Sequence, residues 1–313
     1  MNTPAPEIAQ RVSPQAEWAG RPERSNMAML RLMTWISLRL GRAPARLVLA
    51  GISLYFLAFA PAAKAASRAY LRRALDREPR FIDLFRHFHS FASTIHDRVF
   101  LLNARFDLFQ VEVRGEDVIK AALAAGRGAF LMGAHMGSFE VVRAIGRRQP
   151  GLRVAMVMYE ENARKLNAAL AAINPAAVQE IIPLGQIDSM LRVQASLDEG
   201  MVLGVLGDRT LGGDPTVRIP FLGAAAEFPV GPMRLAAMLK RPVLFMGGLY
   251  LGGNRYAIHF ERLADFSDVE RPERAATIDA AVRAYAVCLE RHCRAAPYNW
   301  FNFFDFWRPK DAG

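Results

Sequence analysis

The sequence predicts an α/β protein with a mostly parallel central sheet flanked by helices, preceded by an N-terminal membrane-associated helical segment. Short apolar runs alternate with stretches of helical period through the second half of the chain, as in strands joined by helical crossovers. An uncharged apolar stretch, residues 47–63, lies upstream between arginine-containing flanks. The 313 residues suffice for one large domain or two small ones.

Composition limits the classes of function. Hydrophobic residues make up 52% and charged residues 22%, which is typical of a globular protein and excludes global disorder and a polytopic transporter. The 40 Lys and Arg exceed the 30 Asp and Glu by ten charges, so an anionic partner is expected, namely nucleic acid, anionic lipid or an acidic carrier protein. No nucleic-acid-binding motif occurs, which disfavours the first of these.

The N-terminal third divides into two predicted segments. Residues 1–26 contain several prolines and no apolar period, and we expect a disordered leader without a secretory signal. Residues 27–66 are expected to associate with a membrane, because an arginine-bearing amphipathic stretch precedes the apolar run. Residues 47–63 are slightly short for a full span, so a short span and a shallow insertion both remain open. A buried core helix is the alternative.

Residues 67–313 are predicted to form the α/β domain, and the first part of it, residues 67–102, has a helical pattern. The predicted strands are residues 129–132, 152–158, 181–183, 201–206, 243–248 and 256–260. The predicted helices are residues 116–125, 163–173, 189–199, 232–239 and 274–295.

The potential metal ligands of the sequence do not form a recognisable site. Histidines at 87, 89 and 96 lack a carboxylate-rich shell, and the cysteines Cys288 and Cys293 lack a second Cys/His pair. We therefore expect no metal, and a reducing compartment.

One segment combines a strand end with chemistry. The apolar strand that ends at residue 132 is followed by Gly133, His135, Gly137, Ser138 and Glu140. The glycines permit a tight turn, and Ser138 is a good N-cap candidate for the next helix. His135 then lies just beyond a strand's carboxyl end, where open α/β sheets bind ligands. Glu140, in the first helical turns, is expected to reach back to the imidazole. Such a pair activates a hydroxyl, with His135 as general base and Glu140 as its orienting carboxylate.

This segment resembles the His-x4-Asp/Glu motif of the glycerolipid acyltransferase superfamily, and more closely the lipid A late acyltransferases of Gram-negative bacteria. The likeness extends over about residues 30–307. It includes Gly-Asp-Arg at 207–209, Ile-Pro-Phe-Leu-Gly at 219–223 and the aromatic tail at 297–307. The resemblance implies an O-acyltransferase on the cytoplasmic face of the inner membrane. It also implies an acyl carrier protein thioester as donor, a lipid acceptor of lipid A type or another kind, and neither metal, cofactor nor covalent acyl-enzyme.

The resemblance also suggests substrate-binding residues. Arg164 is the nearest match to the family's second-block arginine, and Asp208 with Arg209 follows a short strand where relatives often carry Asp. For that pair, a solvated turn with a local ion pair is the alternative. Phe221 and Gly223 are expected in a loop that places apolar side chains beside the acyl chain, although core packing explains them almost as well. The aromatic tail suits either a membrane interface or the domain core.

Two other functions stay open. An acyl-CoA-dependent lysophospholipid or glycerol-phosphate acyltransferase fits the His-x4-Glu motif equally well. A catalytically inactive membrane scaffold is disfavoured, because binding alone has no need of the His135 and Glu140 pair. The serine-hydrolase motif Gly-x-Ser-x-Gly is absent from the sequence, which argues against a covalent serine mechanism.

Overall fold

The computed structural model describes residues 34–39, 41–146, 153–176, 180–185, 188–209 and 214–307. The predicted leader, residues 1–26, and the first part of the amphipathic segment, residues 27–33, lie outside the described residues. Residues 34–39 are helical. Three helices follow, and they are α1 (Arg42–Phe59), α2 (Pro61–Ala74) and α3 (Phe81–Leu102).

The strands of the α/β domain begin after a short 3₁₀ turn at Phe106–Leu108. Its strands are β1 (Gln110–Arg114), β2 (Ala129–Gly133), β3 (Val154–Tyr159), β4 (Ile181–Leu184), β5 (Val202–Leu206), β6 (Thr216–Phe221), β7 (Ala224–Pro229), β8 (Pro242–Tyr250) and β9 (Arg255–Asp265). Its helices are α4 (Glu116–Ala124), α5 (Phe139–Gly146), α6 (Glu160–Ile173), α7 (Ser189–Asp198), α8 (Gly231–Met238) and α9 (Arg274–Ala295).

Seven strands form the central sheet in the order β1-β9-β8-β2-β5-β3-β4. All neighbouring pairs are parallel except β8 and β9, which are antiparallel. The predicted α/β class with a mostly parallel sheet is therefore confirmed. β2 occupies the middle of the sheet, and its side chains are buried on both faces: Phe130 and Met132 join one core cluster, and Leu131 joins another. A central strand covered on both sides reads as a continuous apolar run, as residues 129–132 do.

Most predicted elements are confirmed, and helix 274–295 is confirmed at both ends. β9 extends five residues beyond its predicted end at residue 260, because its second half pairs with the start of β8. The edge strand β1 was not predicted. The prediction of a loop around Phe221 and Gly223 was wrong, because β6 and β7 pair there as an antiparallel hairpin.

Helix α1 packs against the domain along one face and leaves the other exposed. Its buried residues follow a four-residue repeat, Ala45, Leu49, Ser53 and Leu57. At its start Arg42 forms an ion pair with the buried Asp97 of α3, with Nε 2.7 Å from Oδ1. The opposite face exposes large apolar side chains, namely Leu47, Val48, Leu54, Tyr55, Phe56 and Phe59. Within the described residues, α1 is the one helix with the length and composition to cross a membrane.

Candidate active site

His135 and Asp208 come together because they follow two adjacent parallel strands. β2 pairs with β5 in a register that places Gly133 opposite Leu206. Two residues beyond each of these lie His135 and Asp208, at the same carboxyl edge of the sheet. The amide of Gly207 also donates to the carbonyl of Gly133, at 3.0 Å. The sheet register therefore places the imidazole and the carboxylate side by side.

Asp208 binds His135 at two points. Its Oδ2 accepts the backbone N–H of His135, and its Oδ1 lies on the ring nitrogen Nδ1, each at 2.9 Å. The Trp300 indole also donates to Oδ2 at 2.9 Å. An ionised carboxylate only accepts hydrogen bonds, so the proton of the neutral ring lies on Nδ1 and the lone pair on Nε2. No described residue hydrogen-bonds Nε2, which makes it the basic atom of the site.

The electrostatic environment favours the ionised carboxylate of Asp208 and the neutral imidazole of His135. Burial opposes ionisation of Asp208, yet His135, Arg209 and the Trp300 indole together hold the pKa of that carboxyl well below its usual range. Burial lowers the pKa of His135 and Arg209 acts in the same direction, while Asp208 opposes them. The side chain of His135 is 30% exposed and that of Asp208 only 2%. The imidazole is thus an accessible neutral base above a buried anion.

The turn that carries His135 is held from both sides. The amide of Phe301 donates to the carbonyl of His135 at 2.7 Å, and the amide of Gly137 donates to the carbonyl of Asn299 at 2.9 Å. Gly137 has φ +62°, and a Cβ there would lie 1.9 Å from the carbonyl oxygen of Gly248. Only glycine fits this close approach. The C-terminal tail and β8 therefore fix the backbone around the base.

Glu140 does not hold the ring. The expectation that it reaches back to His135 is corrected by the structure, in which Nδ1 belongs to Asp208. Glu140 lies in the first turn of α5 and forms an ion pair with Arg98 of α3, with Oε1 2.7 Å from Nε. Glu140 is buried and Arg98 is 25% exposed. The Glu140 carboxylate thus links α5, the helix that follows the His135 turn, to α3.

The model of the bacterial lipid A biosynthesis acyltransferase family matches residues 94–309. This match covers more than two thirds of the 313 residues and contains the His135 turn, Glu140, Asp208 and the aromatic tail. The chain belongs to this family. It is accordingly an acyltransferase of the lipid A biosynthesis type. The chain matches none of the curated protein sequences with which it was compared.

The helix cap predicted for this acyltransferase is not formed by the expected side chain. Ser138 precedes α5, but its Oγ is buried and has no hydrogen-bond partner among the described residues. The backbone N–H of Ser138 donates instead to the carbonyl of Gly248, at 2.7 Å. The turn is thus bound to β8 through the backbone of Ser138, and the predicted side-chain cap is not formed.

The two predicted substrate-binding arginines lie in different places. Arg209 follows Asp208 directly, donates from Nη2 to the carbonyl of Phe301 at 3.3 Å, and has its guanidinium over the Phe304 ring. Arg209 and His135 both hydrogen-bond the backbone of Phe301, so Arg209 lies beside the imidazole, and its charge lowers the pKa of His135. Arg164 is exposed on α6, after β3. Among the described residues, no hydrogen bond or ion pair joins Arg164 to His135 or Asp208.

Phe221 and Gly223 belong to the β6–β7 hairpin. Phe221 is fully buried, and its ring packs against Trp300, whose indole holds Asp208. Gly223 lies in the hairpin turn with φ +79°, and the amide of its neighbour Leu222 donates to Glu290 of α9 at 2.7 Å. Phe221 is thus linked to Asp208 through one side chain, that of Trp300. Gly223 lies in the part of the hairpin that contacts α9.

Three residues in or beside the candidate site were not predicted individually. Trp300 is fully buried and donates to Asp208. Of the two locations expected for the aromatic tail, the domain core is therefore the one that the structure shows for Trp300. Its sequence signal was the aromatic run itself, which did not reveal which ring faces Asp208. Arg98 partners Glu140 from α3, and no local pattern distinguishes it from the other arginines. Tyr285 of α9 also donates to the Gly133 carbonyl, at 2.8 Å.

Proposed function

We propose that this acyltransferase moves a fatty acyl group from an acyl carrier protein thioester to a hydroxyl of a lipid, with His135 as general base. The observation that carries the proposal is the arrangement of His135, whose Nδ1 lies on the buried Asp208 while Nε2 has no described hydrogen-bond partner. A base with one nitrogen anchored and the other accessible is what removal of an alcohol proton requires.

The chemistry proceeds by direct transfer. Nε2 of His135 takes the proton of the acceptor hydroxyl as its oxygen bonds to the thioester carbonyl carbon. The tetrahedral intermediate collapses, the carbon–sulfur bond breaks, and the leaving thiolate takes the proton from the imidazolium. Asp208 stabilises the imidazolium formed in between and keeps the ring in the productive tautomer. An ester and a free carrier thiol are the products, and the enzyme returns to its starting protonation state.

Glu140 has a positioning role in this proposal. Its ion pair with Arg98 joins α5 to α3, and α5 begins four residues after His135. The carboxylate therefore acts on the base through the placement of the turn. Arg209, beside the base, is the candidate for contacting an anionic group of either substrate. The exposed Arg164 is a candidate contact for the donor at the surface.

The donor is proposed from charge. The excess of ten positive charges favours encounter with an acidic carrier protein, and that attraction is screened over about 8–10 Å at physiological salt. An acyl-CoA donor, acting on a lysophospholipid or glycerol phosphate, is the second candidate. The lipid acceptor, of lipid A type or another kind, is expected at the cytoplasmic face of the inner membrane.

Membrane contact is proposed for α1. One face of this helix is packed on α3, and its start is fixed by the Arg42–Asp97 ion pair. The other face presents apolar side chains to the surroundings, including Leu47 at 80% exposure and Phe59 at 70%. A helix bound to its domain along one side suits insertion into the headgroup region better than a full crossing.

Paired donor assays test this function. Neutral detergent micelles remove anionic lipid, so any salt dependence there reports on the donor. With labelled acyl carrier protein, the transfer rate is expected to fall steeply from low to moderate ionic strength, and labelled acyl-CoA is expected to react much more slowly. A salt-independent rate, or a preference for acyl-CoA, rejects the carrier-protein donor. Mass spectrometry of total lipids with and without the gene identifies the acceptor.

A further inference from the structure

A cluster of potential metal ligands lies on the face of the sheet covered by α9. His259 and Glu261 are two residues apart on β9, so both point to one face of the strand. His292 of α9 faces them. One ligand atom from each of the three side chains lies within 4.8 Å of the others. The sequence concealed this cluster, because more than 30 residues separate His292 from the strand pair.

The cluster is ordered by its neighbours. The His292 ring stacks on Phe245 of β8 at 4.8 Å with an interplanar angle of 7°. The His259 ring meets His292 edge-on at 4.8 Å. Glu261 Oε1 lies 2.7 Å from His292 Nε2, and its other oxygen contacts Arg291. Stacking and edge contacts of this kind restrict both imidazoles to positions close to the carboxylate.

We propose that His259, Glu261 and His292 form a zinc-binding site, separate from the His135 site. Two imidazoles and a carboxylate are a common zinc donor set, with ligand distances of about 2.0–2.2 Å and tetrahedral geometry. Tetrahedral ligands at that distance are about 3.3 Å apart. The 2.7 Å hydrogen bond between Glu261 and His292 therefore opens slightly as the ion enters and replaces it.

Access and secondary contacts suit an ion at this place. The side chain of Glu261 is 29% exposed, whereas that of His292 is 6% exposed, so the cluster opens to solvent on the β9 side. That opening provides an entry path for the ion, and a solvent water would be its fourth ligand. Arg291 stays on the second carboxylate oxygen and orients it, as the outer contacts of metal ligands commonly do.

Zinc bound at this site would stabilise the part of the α/β domain that supports the turn carrying His135. Zinc would join α9 to β9, and α9 also holds the turn through Tyr285, whose hydroxyl donates to the Gly133 carbonyl. We therefore expect a structural role, visible in stability, with no step of acyl transfer at the ion. The competing account is an ion-pair network of Glu261 with Arg291 and His292 that binds no metal.

Metal content and thermal unfolding decide between the two accounts. The full-length protein, freed of any affinity tag and treated with chelator, is titrated with zinc chloride in a detergent without metal affinity. We expect about one zinc bound per chain and a thermal midpoint that rises with zinc concentration, because an ion that binds only the folded state stabilises it. No stoichiometric binding at micromolar zinc, or no shift of the midpoint, overturns the proposal.

Variants locate the ion. His259→Ala and Glu261→Gln are each expected to weaken zinc binding at least tenfold, and Glu261→Gln preserves the side-chain shape if the alanine variant does not fold. His89→Asn is the matched control, because His89 is a partly exposed histidine, as His259 is, and lies outside the cluster. It is expected to keep the wild-type zinc affinity. Unchanged affinity in Glu261→Gln, or an equal loss in His89→Asn, contradicts the assignment.

Discussion

Asp208 holds His135 through both the backbone N–H and the ring Nδ1, each at 2.9 Å. One carboxylate thereby fixes the position of the turn, the plane of the ring and its tautomer. The Trp300 indole orients the same carboxylate, so the C-terminal tail helps to position the imidazole through Asp208. Substitutions in this group are therefore expected to affect turnover before they affect substrate binding.

Asp208→Asn tests the tautomer argument. The substitution preserves shape and an acceptor for Trp300, but it removes the charge and can present an amide N–H to Nδ1. The ring proton then moves to Nε2, where it blocks the base. We expect kcat to fall on the order of 10²–10⁴-fold with little change in KM. A rise in KM with a normal kcat would instead make Asp208 a substrate-binding residue.

The pH dependence of kcat/KM follows from the pKa of His135. The base works only when neutral, so activity is lost as pH falls through its pKa. Burial lowers that pKa from its ordinary value of 6.5, so the acid limb is expected below pH 6.5. Asp208 raises the pKa of His135, and the residual activity of Asp208→Asn should therefore show its acid limb at still lower pH. An acid limb above 6.5 in the wild type contradicts this electrostatic account.

Glu140→Gln is expected to reduce turnover less than Asp208→Asn. Loss of the charge weakens the ion pair with Arg98 and loosens α5, but it leaves the Nδ1 contact of His135 intact. The acid limb of the rate profile should remain at the wild-type pH. Arg98→Gln is the matched variant, and the double variant should cost little more than either single one. A loss in Glu140→Gln as large as in Asp208→Asn would place Glu140 on the imidazole during reaction.

The sequence predicted the position of His135 better than it predicted the carboxylate that holds its ring. The apolar run at residues 129–132 and the glycines after it indicated a strand end shortly before His135. Asp208 also followed a predicted strand, but neighbouring strands in a sheet are not consecutive in sequence. β3 and β4 intervene between β2 and β5 along the chain, and nothing local showed that β2 and β5 pair. The nearer carboxylate, Glu140, was therefore assigned to the ring.

The hairpin and the tail illustrate a second limit. Phe221 and Gly223 lie in a segment with a proline and a glycine, residues 220–223, that was predicted as a loop. Six residue pairs nevertheless form the β6–β7 ladder, and Phe221 packs with Trp300 and Phe306. Aromatic packing across distant segments overrides local turn preferences, and local sequence does not record it. The same packing explains why the aromatic tail lies in the core.

We expect the exposed apolar face of α1 to bind the membrane that contains the lipid acceptor. Replacing Leu47 and Phe59 together by serine removes two apolar side chains whose burial is worth about 1.5–3 kcal/mol each. We expect at least a tenfold drop in partition into anionic lipid vesicles, measured by sedimentation. Leu191→Ser is the control, because Leu191 is 70% exposed on α7. Unchanged partition of the double variant would place the membrane contact elsewhere.

The most direct measurement is the acyl transfer rate of His135→Ala with labelled acyl carrier protein and extracted membrane lipid. His135→Ala removes the proposed base and leaves the Asp208–Trp300 contact available, so the variant is expected to fold and to bind membranes as the wild type does. His89→Asn serves as the control for a histidine outside the site. We expect a loss of at least about 100-fold for His135→Ala and a normal rate for His89→Asn. Retention of more than about a tenth of the wild-type rate by a folded His135→Ala enzyme would contradict His135 as the general base.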